Sequence, residues 1–209
     1  MRRRGSRIRI SMNIPSLRKR YKDSVILLLS KELGRTNVLS LPRITKVVVN
    51  VGTGKSAREK DKLDEVLQSL AVITGQKPVE TIARKAISGF KVRQGMPVGA
   101  VVTLHGVRMW NFLDRLVSIA LPRVRDFQGI PLSSVDHAGN ISIGIKEHTV
   151  FPEISPEKTK YIFSFQVIVV TTAQNRQEGE MLFRALGFPL TLTVPERTSE
   201  KRNIVKKVK

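Results

Sequence analysis

The stretch LPRITKVVVNVGTG, residues 41–54, decides the fold class. Its centre, Ile44–Val51, is rich in β-branched residues, which suit a pleated strand better than a helix. Successive strand side chains point to opposite faces. Val47, Val49 and Val51 therefore form an apolar core face, while Lys46, Val48 and Asn50 fall on the other. An amide beside a lysine in mid-strand predicts a face that is not wholly buried. Gly52-Thr53-Gly54 then turns the chain out of the strand.

The elements on either side fit around that strand. Leu63, Val66, Leu67, Leu70, Ala71 and Thr74 recur at helical spacing, the cleanest amphipathic pattern in the chain, closed by Gly75. Upstream, Leu17, Tyr21, Val25, Leu28, Leu29 and Leu33 repeat the pattern, with Gly34 as terminator. Lys77–Ile82 reads as a second strand. Val98–His105 reads as a third, with Val98, Ala100, Val102 and Leu104 toward the core and Gly99, Val101, Thr103 and His105 opposite. Met109–Leu121 is a helix with Pro122 at its end. Ile141, Ile143 and Ile145 alternate after a turn, and Tyr161–Thr172 is a long, strongly β sequence. The last helix is Gln177–Leu186. Helices and strands interleave without regular βαβα order, so the class is α+β: a largely antiparallel sheet with helices packed on one face. Residues 1–16 form a flexible basic arm, 17–189 a single domain and 190–209 a basic C-terminal extension.

Composition names the kind of partner. The 209 residues are 41% hydrophobic, enough for a real core, yet 37 Lys and Arg face 17 Asp and Glu for a net charge of +20. Residues 1–22 hold +9, residues 81–113 hold +5 and residues 196–209 hold +4. Clustering of this kind points to phosphate rather than to solubility, which mixed signs would serve. The absence of cysteine excludes a disulfide scaffold, a thiol nucleophile and any Cys-ligated metal. The longest apolar run, Val25–Leu29, is far short of the roughly 20 residues of a membrane span. A polar open sheet face fringed by Lys and Arg is a usual way to hold RNA.

The remaining motifs carry no chemistry of catalysis. Val51-Gly52-Thr53-Gly54-Lys55-Ser56 resembles a phosphate-binding loop, but position 49, where that motif needs glycine, is Val. A tight strand–helix turn is the simpler reading, with Lys55 free to meet an RNA phosphate. His105, His137 and His148 have no metal-ligand spacing and read as surface or structural residues. Neither Asp136-His137 nor Glu147-His148 makes a catalytic pair by adjacency alone. No catalytic residue, metal or cofactor is expected. The loop ARKAISGFKVRQG, residues 83–95, alternates basic with small and apolar residues, and its Phe90 either stacks on a base or ribose or anchors the loop on the core.

Several segments together have a family look. LRKRY (17–21), LPRITKVVVNVGTG (41–54), ITGQKP (73–78), ARKAISGFKVRQGMPVGAVVTL (83–104), RMWNFLDRL (108–116), ALPRVRDFQG (120–129), FPEI (151–154), VTTA (170–173) and LGFP (186–189) occur in one order. The chain resembles the family of the fifth large-subunit ribosomal protein of bacterial type. That resemblance implies a sheet whose concave face binds 5S rRNA through Asn50, Gln76 and Thr103, with Lys46 beside them. It implies that Arg84, Lys85, Lys91 and Arg93 reach the P-site tRNA. It also implies that residues 123–147 face a small-subunit head protein across the subunit interface. The arm and the extension exceed the family's usual limits and are expected on further large-subunit rRNA. No membrane partner follows. The expected location is a bacterial cytoplasmic ribosome, with an organellar ribosome as the alternative.

Overall fold

Alternation in the first strand organises the whole sheet. The computed structural model describes residues 16–53, 60–90, 92–155, 157 and 159–191. In β1 (Ile44–Gly52), Val47, Val49 and Val51 are buried, whereas Lys46 and Asn50 are exposed and Val48 is half-buried. The other strands of the sheet are β2 (Val79–Ile82), β3 (Pro97–Leu104), β5 (Ile141–Ile145) and β6 (Phe165–Thr171). Their spatial order is β2-β3-β1-β6-β5, antiparallel at every step. Register sets Val49 opposite Val102 and Val167, and Ile143 opposite Val167, so four strands pool one aliphatic face. Each such side chain, fully buried, contributes roughly 1.5–3 kcal/mol.

Among the described residues, four helices cover that face. They are α1 (17–33), α2 (Lys60–Thr74), α3 (106–123) and α4 (Arg176–Leu186). Leu29, Leu70, Phe112, Leu113, Leu116, Leu182 and Phe183 join the strand aliphatics in a single core. Arg115 fastens α2 to α3, donating to the carbonyl of Ile73 at 2.8 Å while pairing with Glu153. A two-stranded parallel ribbon, β4 (Ile130–Pro131) with β7 (Leu190–Thr191), carries the fold to Thr191, just past Pro189.

Three local expectations change. The helix expected to finish before Pro122 continues to Arg123, through a π turn at Leu116–Ala120. Proline lacks an N–H and crowds the carbonyl four residues back. Widening the preceding turn lets Leu121 donate to Leu116 and carries the helix past the proline. Within Tyr161–Thr172, only Phe165–Thr171 joins the ladder. The N–H groups of Lys160 and Tyr161 instead donate to Glu65 Oε1, at 2.8 and 3.2 Å, and that of Phe163 to His148 Nδ1 at 3.4 Å. Alternation in β3 also fails at its first turn of pleat: Gly99 is buried and Val98 half-buried. A Cβ on Gly99 would lie 2.3 Å from the carbonyl oxygen of Val51, so only glycine allows the two strands to meet there.

Of the surface and structural readings of His148, burial decides for the structural one. The residue is fully buried and stacked on Phe163, with centroids 3.9 Å apart and planes within 11°. Its Nε2 is buried without a partner among the described residues. Burial lowers its pKa below the ordinary imidazole value, against the smaller upward pull of the Glu65 carboxylate and of the Phe163 backbone. The unfolded chain therefore binds this proton at a higher pH than the folded one does. Stability should hold above about pH 6.5, the unfolded value, and be lost as pH falls from there toward the folded pKa. Urea midpoints measured between pH 8 and pH 5 should drop more for the natural chain than for His148→Phe; parallel curves would contradict this.

Candidate nucleic-acid interface

The uncovered side of the sheet is a grid set by strand register. One row runs Val79, Val101, Asn50, Gln166 and Gly144 from β2 to β5. The next runs Thr103, Val48, Ile168 and Ser142 from β3 to β5, and Lys46 lies opposite Val170 beyond it. Asn50, Gln166 and Lys46 are exposed; Thr103, Ser142 and the aliphatics between them are half-buried. The face is thus mixed, with amides, hydroxyls and one cation standing among valines and an isoleucine. Such a surface offers hydrogen bonds to base edges and 2′-hydroxyls and van der Waals contact to ribose.

Of the expected rRNA residues, the structure brings Lys46, Asn50 and Thr103 to this face and joins Gln76 to it by a bond. Gln76 lies in the turn after α2, where Gly75 adopts φ +67°. Thr74 Oγ1 donates to the Leu70 carbonyl at 2.7 Å and accepts from Gln76 N at 3.4 Å, which holds the turn in shape. Gln76 Nε2 then donates to the Thr103 carbonyl at 3.1 Å, so one amide hydrogen already ties the turn to β3. Gln166 and Ser142 also stand on the face, and alternation had not singled them out.

The basic loop is a hairpin at the end of the sheet. Ala83 N donates to Met96 O at 2.8 Å, and Ile87 bridges Val92. Arg84, Lys85 and Arg93 are all exposed along it, and Lys91 lies outside the described residues, as does Lys55. Phe90 is 76% exposed, so it does not anchor the loop on the core. A groove of about 1050 Å³ separates the loop from the end of β1, between Phe90, Arg84 and Lys85 on one side and Gly52 and Thr53 on the other. A second groove, of about 730 Å³ between α2 and residues 153–155 and 159–161, is lined by Asp61, Asp64, Glu65 and Glu153 against, among the described residues, the single cation Lys160. Its carboxylates repel phosphate, so this groove is a poor place for a nucleic-acid backbone.

No constellation of catalytic type accompanies these surfaces among the described residues. The Asp136 carboxylate accepts from the backbone and side-chain nitrogens of Asn140 at 2.7 and 2.9 Å, not from His137. His148 faces Phe163 rather than Glu147. No group of three or more metal-ligating side chains occurs, and no helix is long and apolar enough to cross a membrane, again among the described residues.

An α+β sheet covered on one side, with amides, hydroxyls and Lys46 on the other and a basic hairpin at its end, has the chemistry of a nucleic-acid-binding protein. Comparison with known families makes this particular. The family model described as "Ribosomal protein L5" matches residues 37–93, and the model for the C-terminus of the same ribosomal family matches residues 97–190. The chain is 47% identical over 174 residues to the large ribosomal subunit protein uL5 of Synechococcus sp. (strain RCC307), covering 83% of this chain and 97% of that one. It is 47% identical over 176 residues to uL5 of Roseiflexus sp. (strain RS-1), covering 84% and 98%. The chain belongs to the ribosomal protein L5 family, and like its members it is a structural constituent of the ribosome, not an enzyme.

Proposed function

We propose that, within the large ribosomal subunit, this chain holds 5S rRNA against its open sheet face and anchors it in the central protuberance. Asn50 and Thr103 supply the polar contacts, Gln76 braces the Thr103 strand while presenting its amide, and Lys46 supplies charge. Arg84, Lys85, Lys91 and Arg93 contact P-site tRNA, and residues 123–147 face a small-subunit head protein to form an intersubunit bridge. The basic residues at both chain ends, outside the described part, lie on additional rRNA. The setting is a bacterial-type ribosome of the cytoplasm.

One observation carries this reading: Asn50 is exposed at the centre of the uncovered face, and its amide makes no hydrogen bond to any described residue. A gel shift against 5S rRNA, with tRNA as competitor, tests it. Asn50→Ala or Thr103→Ala should cost on the order of 1–3 kcal/mol of binding, because an RNA hydrogen-bonding group is left unpaired. Log affinity should fall with log salt by roughly 0.7–0.9 per phosphate neutralised, and a flat response would exclude phosphate as the main partner. Arg84→Ala should leave binding of isolated 5S rRNA nearly unchanged and weaken the tRNA contact. Equal losses in both assays would overturn that division of labour.

A further inference from the structure

We infer that Gln166 is a second RNA-reading amide, forming with Asn50 one two-amide contact for a single nucleotide of the bound RNA; this rests on the reading of the open face given above. The two residues are directly opposed in the β1–β6 register and both are exposed. Opposed side chains on an antiparallel pair have Cβ atoms about 4.5–5.5 Å apart, which puts both amides within reach of one base edge or ribose. Neither side-chain amide makes a hydrogen bond to another described residue, in contrast to that of Gln76, which is tied to Thr103. Two adjacent free amides hold four N–H donors and two carbonyl acceptors.

The ground around them is cleared. Gly144 lies next to Gln166 in the same row, and Gly52 lies two residues beyond Asn50 on the same face. A Cβ at either glycine would meet nothing within 4 Å, so no side chain stands between the amides and an incoming nucleotide. A shallow trough of about 600 Å³ follows, lined by Asn50, Gln166, Gly52 and Gly144 together with Lys146 and Ser164. Exposed Lys146 adds a cation to the lining that a nucleotide's phosphate could meet. A glutamine rather than a carboxylate fits this site, since it both donates and accepts and does not repel phosphate.

The test is a double-mutant cycle on the full chain, read by 5S rRNA gel shift, with thermal melts confirming that each variant folds. Gln166→Ala should weaken binding about five- to tenfold. Gln166→Glu, nearly isosteric, should weaken it more, because it removes the donors and adds a negative charge. The Asn50→Ala/Gln166→Ala double variant should lose less than the product of the two single losses, as expected for groups that serve one contact. If Asn50→Ala weakens binding while Gln166→Ala and Gln166→Glu do not, this inference fails and the reading of the face stands. Losses that multiply would overturn the shared contact. If Asn50→Ala is silent as well, or the natural chain does not bind 5S rRNA, the reading of the face fails with it.

Discussion

Phe151→Ala should destabilise the folded chain by about 3–5 kcal/mol, the range for truncating a fully buried aromatic. Phe151 follows the short turn after β5 and is completely buried. Its ring stacks on Phe112 of α3, with centroids 5.8 Å apart and planes within 15°, and tilts against Phe165 of β6 at 5.9 Å. One side chain thus locks a connecting segment to a covering helix and to the sheet. Both neighbours are themselves held in regular elements, so the walls of the resulting cavity have little freedom to collapse. Domains are stable by only about 5–15 kcal/mol, so the urea midpoint should fall by a large fraction of its value with the slope unchanged. If the open face holds 5S rRNA as proposed, the fraction still folded should bind it with natural affinity, because that face lies on the other side of the sheet from Phe151. A loss below about 1 kcal/mol would mean that the site repacks around alanine.

That prediction could not have been drawn from periodicity. Alternation in residues 44–51 placed Val47, Val49 and Val51 inside and Asn50 outside, because a strand's phase is fixed by its own residues. The helical spacing from Leu63 to Thr74 was legible for the same reason. Phe151 belongs to no repeating pattern, and its importance comes from partners 39 residues before it and 14 after it. Gln166 went unnoticed because Tyr161–Thr172 read as one long strand with no face assigned. Its pairing begins only at Phe165, and the reason lies 100 residues away, where Glu65 takes up the backbone N–H groups of Lys160 and Tyr161. The role of Phe90 was left open by the sequence, since stacking and anchoring demand the same side chain; its exposure rules out the anchor.

Distant partners also make Arg35→Met a severe change. Glu178 is 6% exposed, in the first turn of α4. Its Oε1 accepts from Arg35 Nη2 at 2.5 Å, and its Oε2 accepts from the backbone N–H of Gln174 at 3.1 Å. Arg35 Nη1 also donates to the Ser40 carbonyl at 3.0 Å, so the guanidinium clamps the segment after α1 onto the start of α4. A positive helix N-terminus favours the carboxylate there, but only in part. Removing the arginine leaves a charge in a dry site with one hydrogen bond and no counter-ion. Breaking a buried pair from one side costs about 3–5 kcal/mol, and because the Arg35 side chain keeps 29% exposure the lower end applies, about 3 kcal/mol. The double variant Arg35→Met/Glu178→Met should recover much of that loss, since two apolar side chains leave no charge behind. Urea unfolding of the two single variants and the double one separates the possibilities. A double variant less stable than Arg35→Met would show that the pair is held by its hydrogen bonds to Ser40 and Gln174 rather than by the burial of charge.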